Sequence, residues 1–280
     1  HFEDKLVILR SQLSETRLNH LGLKPMFKNN NKKKLVLIAA IALSSSIGVG
    51  SPLLQYKQDS LPDFTNFDNV GEKKSAFFDY LLPLINEHNQ VIEKQRSRLL
   101  QLVGKDFESL SYSEKNFILS LAEEYRVDHN MLEDDQTKQL LVLRVDIIPP
   151  SLALAQAAIE SGWGTSRFAR QGNNLFGQWC FSENCGLVPR DRDDDADHQV
   201  AKFSSVADSV KSYIRNINTN RAYRALRVNR ARLRAEDADL RGEELAENLL
   251  HYSELGERYV SDVQTLIRAN DLDDHDSQEL

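Results

Sequence analysis

The sequence predicts an α+β fold that is mostly α: a helical body with a small β-hairpin lobe, preceded by an accessory helical region. Three observations predict it. Apolar residues recur at helical spacing through much of residues 70–145. A nearly all-apolar run follows Pro149-Pro150 and stops at Gly162. Two strand-like ends, 187–190 and 199–203, flank the acidic turn 193–197. The 280 residues leave room for one large domain or two small ones.

Residues 1–25 show weak periodicity and precede Met26, so they read as translated from an upstream start and are set aside. Met26 then opens a basic segment, Lys28 and Lys32 to Lys34, followed by an apolar run from Leu35. Residues 26–54 therefore read as a signal peptide or a membrane anchor. With the lysines kept inside, the rest is expected outside the cytoplasm, in the periplasm, anchored to or secreted across the inner membrane. A buried core helix is the weaker reading, because the lysine run abuts the apolar one. Residues 55–69 read as a linker.

Residues 70–130 form the accessory region. Phe77, Phe78, Leu81 and Leu82 share a face of a first helix over 73–82. Ile85, Val91, Ile92, Leu99, Leu100 and Val103 lie at helical spacing along a second, over 84–103. Ser111 to Glu114 caps a third. His88 and His129 read as surface residues. Residues 131–270 form the main domain, opening with a helix over 134–145.

The centre of the chain is 151–177, SLALAQAAIESGWGTSRFARQGNNLFG. Proline suits a first helical turn. Leu152, Leu154, Ala155, Ala158 and Ile159 make the helix apolar all round, hence buried. A single carboxylate, Glu160, sits at its end, before Gly162-Trp163-Gly164. Burial and the negative end of the helix dipole both disfavour the charged form. An acid moved from ~4.3 toward ~6 can donate a proton at neutral pH. The plainer reading is a solvated helix end, but an acid there runs against the dipole and needs a reason. A short helix over 165–171, capped by Gly172, leads into Asn173-Asn174-Leu175-Phe176-Gly177. Its amides and aromatic suit a sugar's polar groups and apolar face. Ordinary turn chemistry explains the asparagines equally well.

Cys180 and Cys185 are the two cysteines, and no His lies near them at a zinc spacing. A disulfide closing this short loop, worth roughly 2 kcal/mol, is favoured over two free thiols and requires an oxidising compartment. Asp191, Asp193, Asp195 and Asp197 alternate as in a calcium loop, but Ala196 and Lys202 stand where glycine and glutamate are needed. A solvated hairpin tip is the favoured reading. Helices follow over 206–218, 243–250 and 259–269; the basic segment 221–234 reads as a solvated face, or as meeting a polymer with carboxylates and lactyl groups, ahead of nucleic-acid binding, and 271–280 as an acidic tail expected to lack fixed structure. The net charge of −7 argues against a nucleic-acid binder. Nothing requires a metal or an organic cofactor.

The stretch AQAAIESGWGTSRFARQGNNLFG resembles the bacterial cell-wall glucosaminidases, the family that includes the flagellar peptidoglycan hydrolase domain. Similarity to a membrane-proximal member runs from about Phe67 to about Ile267, through KKSAFFDYLLPLINEHN, CFSENCGLVP and AYRALR. The resemblance implies a lysozyme-like fold and hydrolysis of the β-1,4 bond after N-acetylglucosamine in peptidoglycan glycan strands. Glu160 matches the family's catalytic glutamate. Asn174, Phe176 and Gly177 match its cleft loop, and Trp163 the indole behind the acid, though core packing explains Trp163 equally. Tyr223 is matched to the family's tyrosine after the hairpin.

A second group must supply or activate the nucleophile. Glu183, Asp191, Asp193 and Asp197 are the carboxylate candidates, and the substrate's own acetamide is the alternative. Two competing functions share these features: a lytic transglycosylase or muramidase, and a non-catalytic peptidoglycan-binding module.

Overall fold

The structure, a computed structural model, describes residues 61–128, 131–132, 134–189 and 198–277. The expectations for residues 1–60, for His129 and for Asp191, Asp193, Asp195 and Asp197 lie outside them. Nine described helices run in order: α1 Val70–Leu102, α2 Tyr112–Glu124, α3 Asp135–Arg144, α4 Pro150–Ser161, α5 Arg167–Gly172, α6 Val206–Thr219, α7 Arg224–Ala235, α8 Gly242–Ala246 and α9 Glu257–Ala269. Between α5 and α6 lie β1 Trp179–Cys180, β2 Gly186–Leu187 and β3 Gln199–Ala201. The fold is thus mostly helical with a small antiparallel sheet of order β1-β3-β2. Trp179 pairs with Val200, and Leu187 pairs with the same residue from the other side.

The two helices expected over 73–103 are one. Helix α1 runs for 33 residues straight through Pro83. Pro83 gives up one backbone hydrogen bond, but Leu81, Leu84 and Ile85 on either side are buried and hold the axis. Its N-terminal half packs in the larger core with α4, α6 and α9, and its C-terminal end in a second core with α2 and α3. Residues 61–69 are docked rather than free: Phe64 is 1% exposed and meets the ring of Phe77 edge-on. Helix α2 starts at a full capping box made by Ser111 and Glu114.

Helix α4 is the axis of the larger core. It contacts α1, α8, α9 and the C-terminal 3-10 turn Leu272–His275. Leu152, Ala153, Leu154, Ala155 and Ala157 are all fully buried, each leucine worth ~1.5–3 kcal/mol of burial. Gly242 of α8 lies against it so closely that a Cβ there would stand 2.0 Å from Ser151 Oγ.

The N-terminus of α4 has no side-chain cap of its own. Asp276 supplies one from the far end of the sequence. Its carboxylate accepts from Ser151 N at 3.0 Å, Ser151 Oγ at 2.6 Å and Gly242 N at 2.8 Å. A negative charge at that end suits the helix dipole. Residues 271–277 are therefore packed, against expectation. The acidic composition misleads because Leu272 is buried and Asp276 has donors to satisfy.

The basic segment 221–234 is a solvated face only in part: Arg221, Arg224 and Arg232 are exposed. Arg227 and Arg230 are buried. Arg227 donates to the carbonyls of Ile217 and Asn220 at the end of α6, at 2.7 and 2.8 Å. Arg230 donates to Ile147 O at 2.7 Å and lies 3.5 Å from the carboxylate of Asp146. Arg96 and Arg234 reach the same carboxylate at 3.4 and 2.9 Å. The cations cap helix ends and surround one acid, so their charge is absorbed inside the fold.

Candidate active site

Glu160 occupies the last turn of α4, half-buried. Gly162, at φ 56°, ends the helix in the left-handed conformation. Ser161 Oγ donates to Ala157 O at 2.6 Å and accepts from Gly164 N at 2.8 Å, which fixes the turn that follows.

Glu160 Oε1 accepts the hydroxyl hydrogen of Tyr259, at 2.7 Å. Tyr259 in turn accepts from Gln156 Nε2 at 2.9 Å, and Gln156 Oε1 accepts from Tyr213 OH at 2.6 Å. Every donor in this chain points toward Glu160. Burial, reinforced by the charge of Glu160, pushes the Tyr259 hydroxyl well above its ordinary value. Burial, with Tyr223 and Glu160 nearby, does the same to Tyr213. Both phenols therefore remain donors throughout the neutral range.

Gln156 lies one helical turn before Glu160, on the same face of α4. It is fully buried, and a buried amide requires partners. The tyrosines supply them from α6 and α9. Tyr213 stacks on Phe176 at 4.0 Å, and Tyr259 stacks on Tyr252 at 5.2 Å. Tyr252 also neighbours Tyr223, ring centres 5.7 Å apart. An aromatic wall thus backs the carboxylate.

The loop 173–177 reaches Glu160 from the other side. Asn173, at φ 51°, ends α5 in place of Gly172 and donates to Phe203 O at 3.1 Å. Asn174 is 1% exposed. Its amide donates to Gln178 O and Ala201 O at 2.8 and 2.9 Å and accepts from Phe176 N and Gln178 N at 3.3 and 3.1 Å. The residue is spent on holding the loop to β3, and its side chain faces inward. Phe176 is equally buried and serves as the stacking partner of Tyr213. Gly177 is the loop residue placed at the carboxylate. Its φ is 61°, and a Cβ there would lie 3.4 Å from Glu160 Oε2.

The remaining expected residues fall in three places. Trp163 lies edge-on to Phe77 and Phe78, at 5.8 and 5.4 Å, with Lys74 Nζ 5.1 Å from its ring centre. Tyr223 is buried in a 3-10 turn beside Tyr252. Glu183 is exposed in the turn between β1 and β2, a turn closed by the Cys180–Cys185 disulfide. Among the described residues no cluster of His, Cys, Asp or Glu has metal-binding geometry, and no described helix is long and apolar enough to cross a membrane.

Sequence reasoning missed Gln156, Tyr252 and Tyr259 as site residues. Gln156 did carry a signal: a lone amide inside LALAQAAIE. The tyrosines carried none, since they lie some 90 to 100 residues beyond Glu160.

The family profile described as mannosyl-glycoprotein endo-beta-N-acetylglucosaminidase matches residues 138–272. Protein bax of Escherichia coli (strain K12) is 34% identical over 204 residues, covering 72% of this chain and 72% of that protein. The chain belongs to the glucosaminidase family. The matched segment runs from α3 to the C-terminal 3-10 turn, so it contains Glu160, its tyrosines and the 173–177 loop. Membership in the glucosaminidase family supports a glycan hydrolase in general terms. No solved structure matches the chain.

Proposed function

We propose that this protein is an endo-β-N-acetylglucosaminidase of the cell envelope, cleaving the β-1,4 bond after N-acetylglucosamine in peptidoglycan with Glu160 as general acid. The observation that carries this is the hydrogen bond from Tyr259 to Glu160 Oε1. Because Oε1 accepts a phenolic hydrogen, the carboxyl proton belongs on Oε2, the oxygen beside Gly177. Partial burial and the end of α4 favour that protonated form.

The chemistry follows from the geometry. Oε2 delivers its proton to the glycosidic oxygen as the bond to the anomeric carbon breaks. The carboxylate left behind keeps the Tyr259 bond, which becomes charge-assisted and stronger. An interaction that strengthens as charge develops lowers the barrier rather than merely binding substrate. The positive anomeric carbon is then met by water activated by a second carboxylate, or by the substrate's acetamide. Glu183 is the described candidate for the second carboxylate. The disulfide supports an oxidising compartment such as the periplasm.

The test is digestion of purified sacculi by the wild type and by Glu160→Gln, with products read by mass spectrometry. The expected result is reducing-end N-acetylglucosamine from the wild type and a loss of about 10²–10⁴-fold in the variant. Anhydromuramic or reducing-end muramic products would overturn the bond assignment. Full activity in the variant would overturn the acid.

A further inference from the structure

The lobe beyond Gly177 carries an aromatic pair that the proposed chemistry does not use. Trp179 of β1 is half-buried, and Phe181 just after it is 62% exposed. Strand β1 ends at Cys180, and Phe181 follows it directly. The rings of Trp179 and Phe181 meet edge-on at 6.5 Å. Trp179 also stacks on His198, at 4.2 Å and 12° between planes, and its register is fixed by pairing with Val200. Val200 itself is buried.

We propose that Trp179 and Phe181 form a stacking platform for a sugar ring of the glycan strand, beside the scissile bond. The proposal rests on the glucosaminidase reading and names a substrate contact of that same site. Three observations carry it. First, a Cβ on Gly177 would lie 3.4 Å from Glu160 Oε2, and the Cα atoms of Trp179 and Phe181 can stand at most ~7.6 and ~15 Å of chain beyond it, so the platform's strand leads off from the acid. Second, an exposed phenylalanine alone is ordinary, but one paired with a tryptophan whose ring is already oriented is a preformed apolar surface. Third, the pair is bracketed by covalent and hydrogen bonds. The Cys180–Cys185 disulfide closes the turn containing Phe181, and Lys202 N to Cys185 O and Gly186 N to Gln199 Oε1 tie its far side to β3 at 3.2 and 2.9 Å. An endo-acting enzyme holds a polymer that continues past the cleaved bond. Its pyranose rings present apolar faces that suit uncharged aromatics. The disulfide then has a function in binding as well as in stability.

The experiment uses the full chain in the Glu160→Gln background, so that substrate is bound but not cut. The chain has two tryptophans, and Trp179→Phe removes one reporter while leaving Trp163 packed. Titration with a β-1,4-linked N-acetylglucosamine hexamer is expected to change tryptophan emission, and Trp179→Phe is expected to abolish the change. In the active protein, Trp179→Ala and Phe181→Ala are each expected to raise KM about tenfold while lowering kcat far less. Cys180→Ser with Cys185→Ser is expected to raise KM in the same direction with the helical circular-dichroism signal retained. Emission that does not respond to the hexamer, or KM unchanged in the aromatic variants, overturns the platform while wild-type cleavage leaves the enzymatic reading standing. A wild type that binds the hexamer through Trp179 but cleaves no glycan supports the platform and overturns the enzymatic reading.

Discussion

Tyr259 donates its hydroxyl hydrogen to Glu160 Oε1 at 2.7 Å, joining residues 99 apart in sequence. The bond ties the last turn of α4 to α9, and Gln156 and Tyr213 extend it as a chain of donors into the core. A carboxyl at the C-terminal end of a helix is pushed toward its neutral form by the dipole. Tyr259 favours the charged form. The two influences oppose each other, which is the arrangement an acid needs if it is to hold a proton and then release it.

Tyr259→Phe tests that balance with a minimal change in shape. The ring would still stack on Tyr252, so folding is expected to survive. The lost bond to a developing carboxylate is worth ~1.5–3 kcal/mol. The expected outcome is a fall in kcat of about 10- to 100-fold with KM little changed. The alkaline limb of the kcat–pH profile, where a general acid loses its proton, should move up, since the charged form has lost its donor. Steady-state kinetics on a soluble glycan across pH would read both effects.

Gly177→Ala probes the other oxygen. The residue's φ of 61° is in the left-handed region, where a side chain costs about 1 kcal/mol. The new methyl would also stand 3.4 Å from Oε2, where the proposed mechanism puts the glycosidic oxygen. Activity is therefore expected to fall at least about 100-fold, against a stability loss of only about 1 kcal/mol. Parallel kinetics and thermal melts would separate the two.

The parts of this fold legible in the sequence are those set by local chemistry. Pro149-Pro150 and Gly162 bound α4, and Ser111 with Glu114 starts α2, because caps act within one turn. Pro83 misled because a single lost hydrogen bond is outweighed by packing that no local rule contains. Strand β1 was missed because it is only two residues long. Arg227 and Arg230 read as solvated since their partners, helix-end carbonyls and Asp146, are assembled only by folding. The site divides the same way. Glu160 stood out as an acid at the wrong end of an apolar helix, whereas Asn174 carried two readings that only its four backbone bonds resolve in favour of loop support.

His88, a surface residue by its sequence pattern, is half-buried in the structure, and its environment gives it a pH signature. Burial, with Lys211 adding to it, pushes its imidazole down to about 4. The folded chain thus keeps His88 neutral where the unfolded chain, at ~6.5, takes up a proton. Stability contributed by the neutral imidazole is full above ~6.5 and declines as pH falls toward about 4. The expected outcome is a urea midpoint that drops over that window in the wild type and drops less in His88→Gln. Equal slopes for the two proteins would show that another group is responsible.

Asp146 governs the far end of the same acid range. Burial alone would push its carboxyl up, but the guanidiniums of Arg230, Arg96 and Arg234 outweigh burial and hold it below the usual carboxylate value. Its backbone carbonyl also accepts from Asn218 at 2.7 Å. For a depressed pKa, the stabilisation is complete above the unfolded value of ~3.9 and is lost as pH falls through the folded one. Asp146→Asn would remove the charge while keeping the shape, leaving the fully buried Arg230 without its carboxylate. Breaking a buried pair from one side costs about 3–5 kcal/mol, a fall in Tm of about 6–20 °C for a unit this size. Replacing Arg230 as well, as Asp146→Asn with Arg230→Met, removes the stranded charge and is expected to recover part of the loss. Calorimetry of the two variants at neutral pH measures both steps. A single variant as stable as the wild type would mean that backbone carbonyls suffice for Arg96 and Arg230, and Glu93 for Arg234.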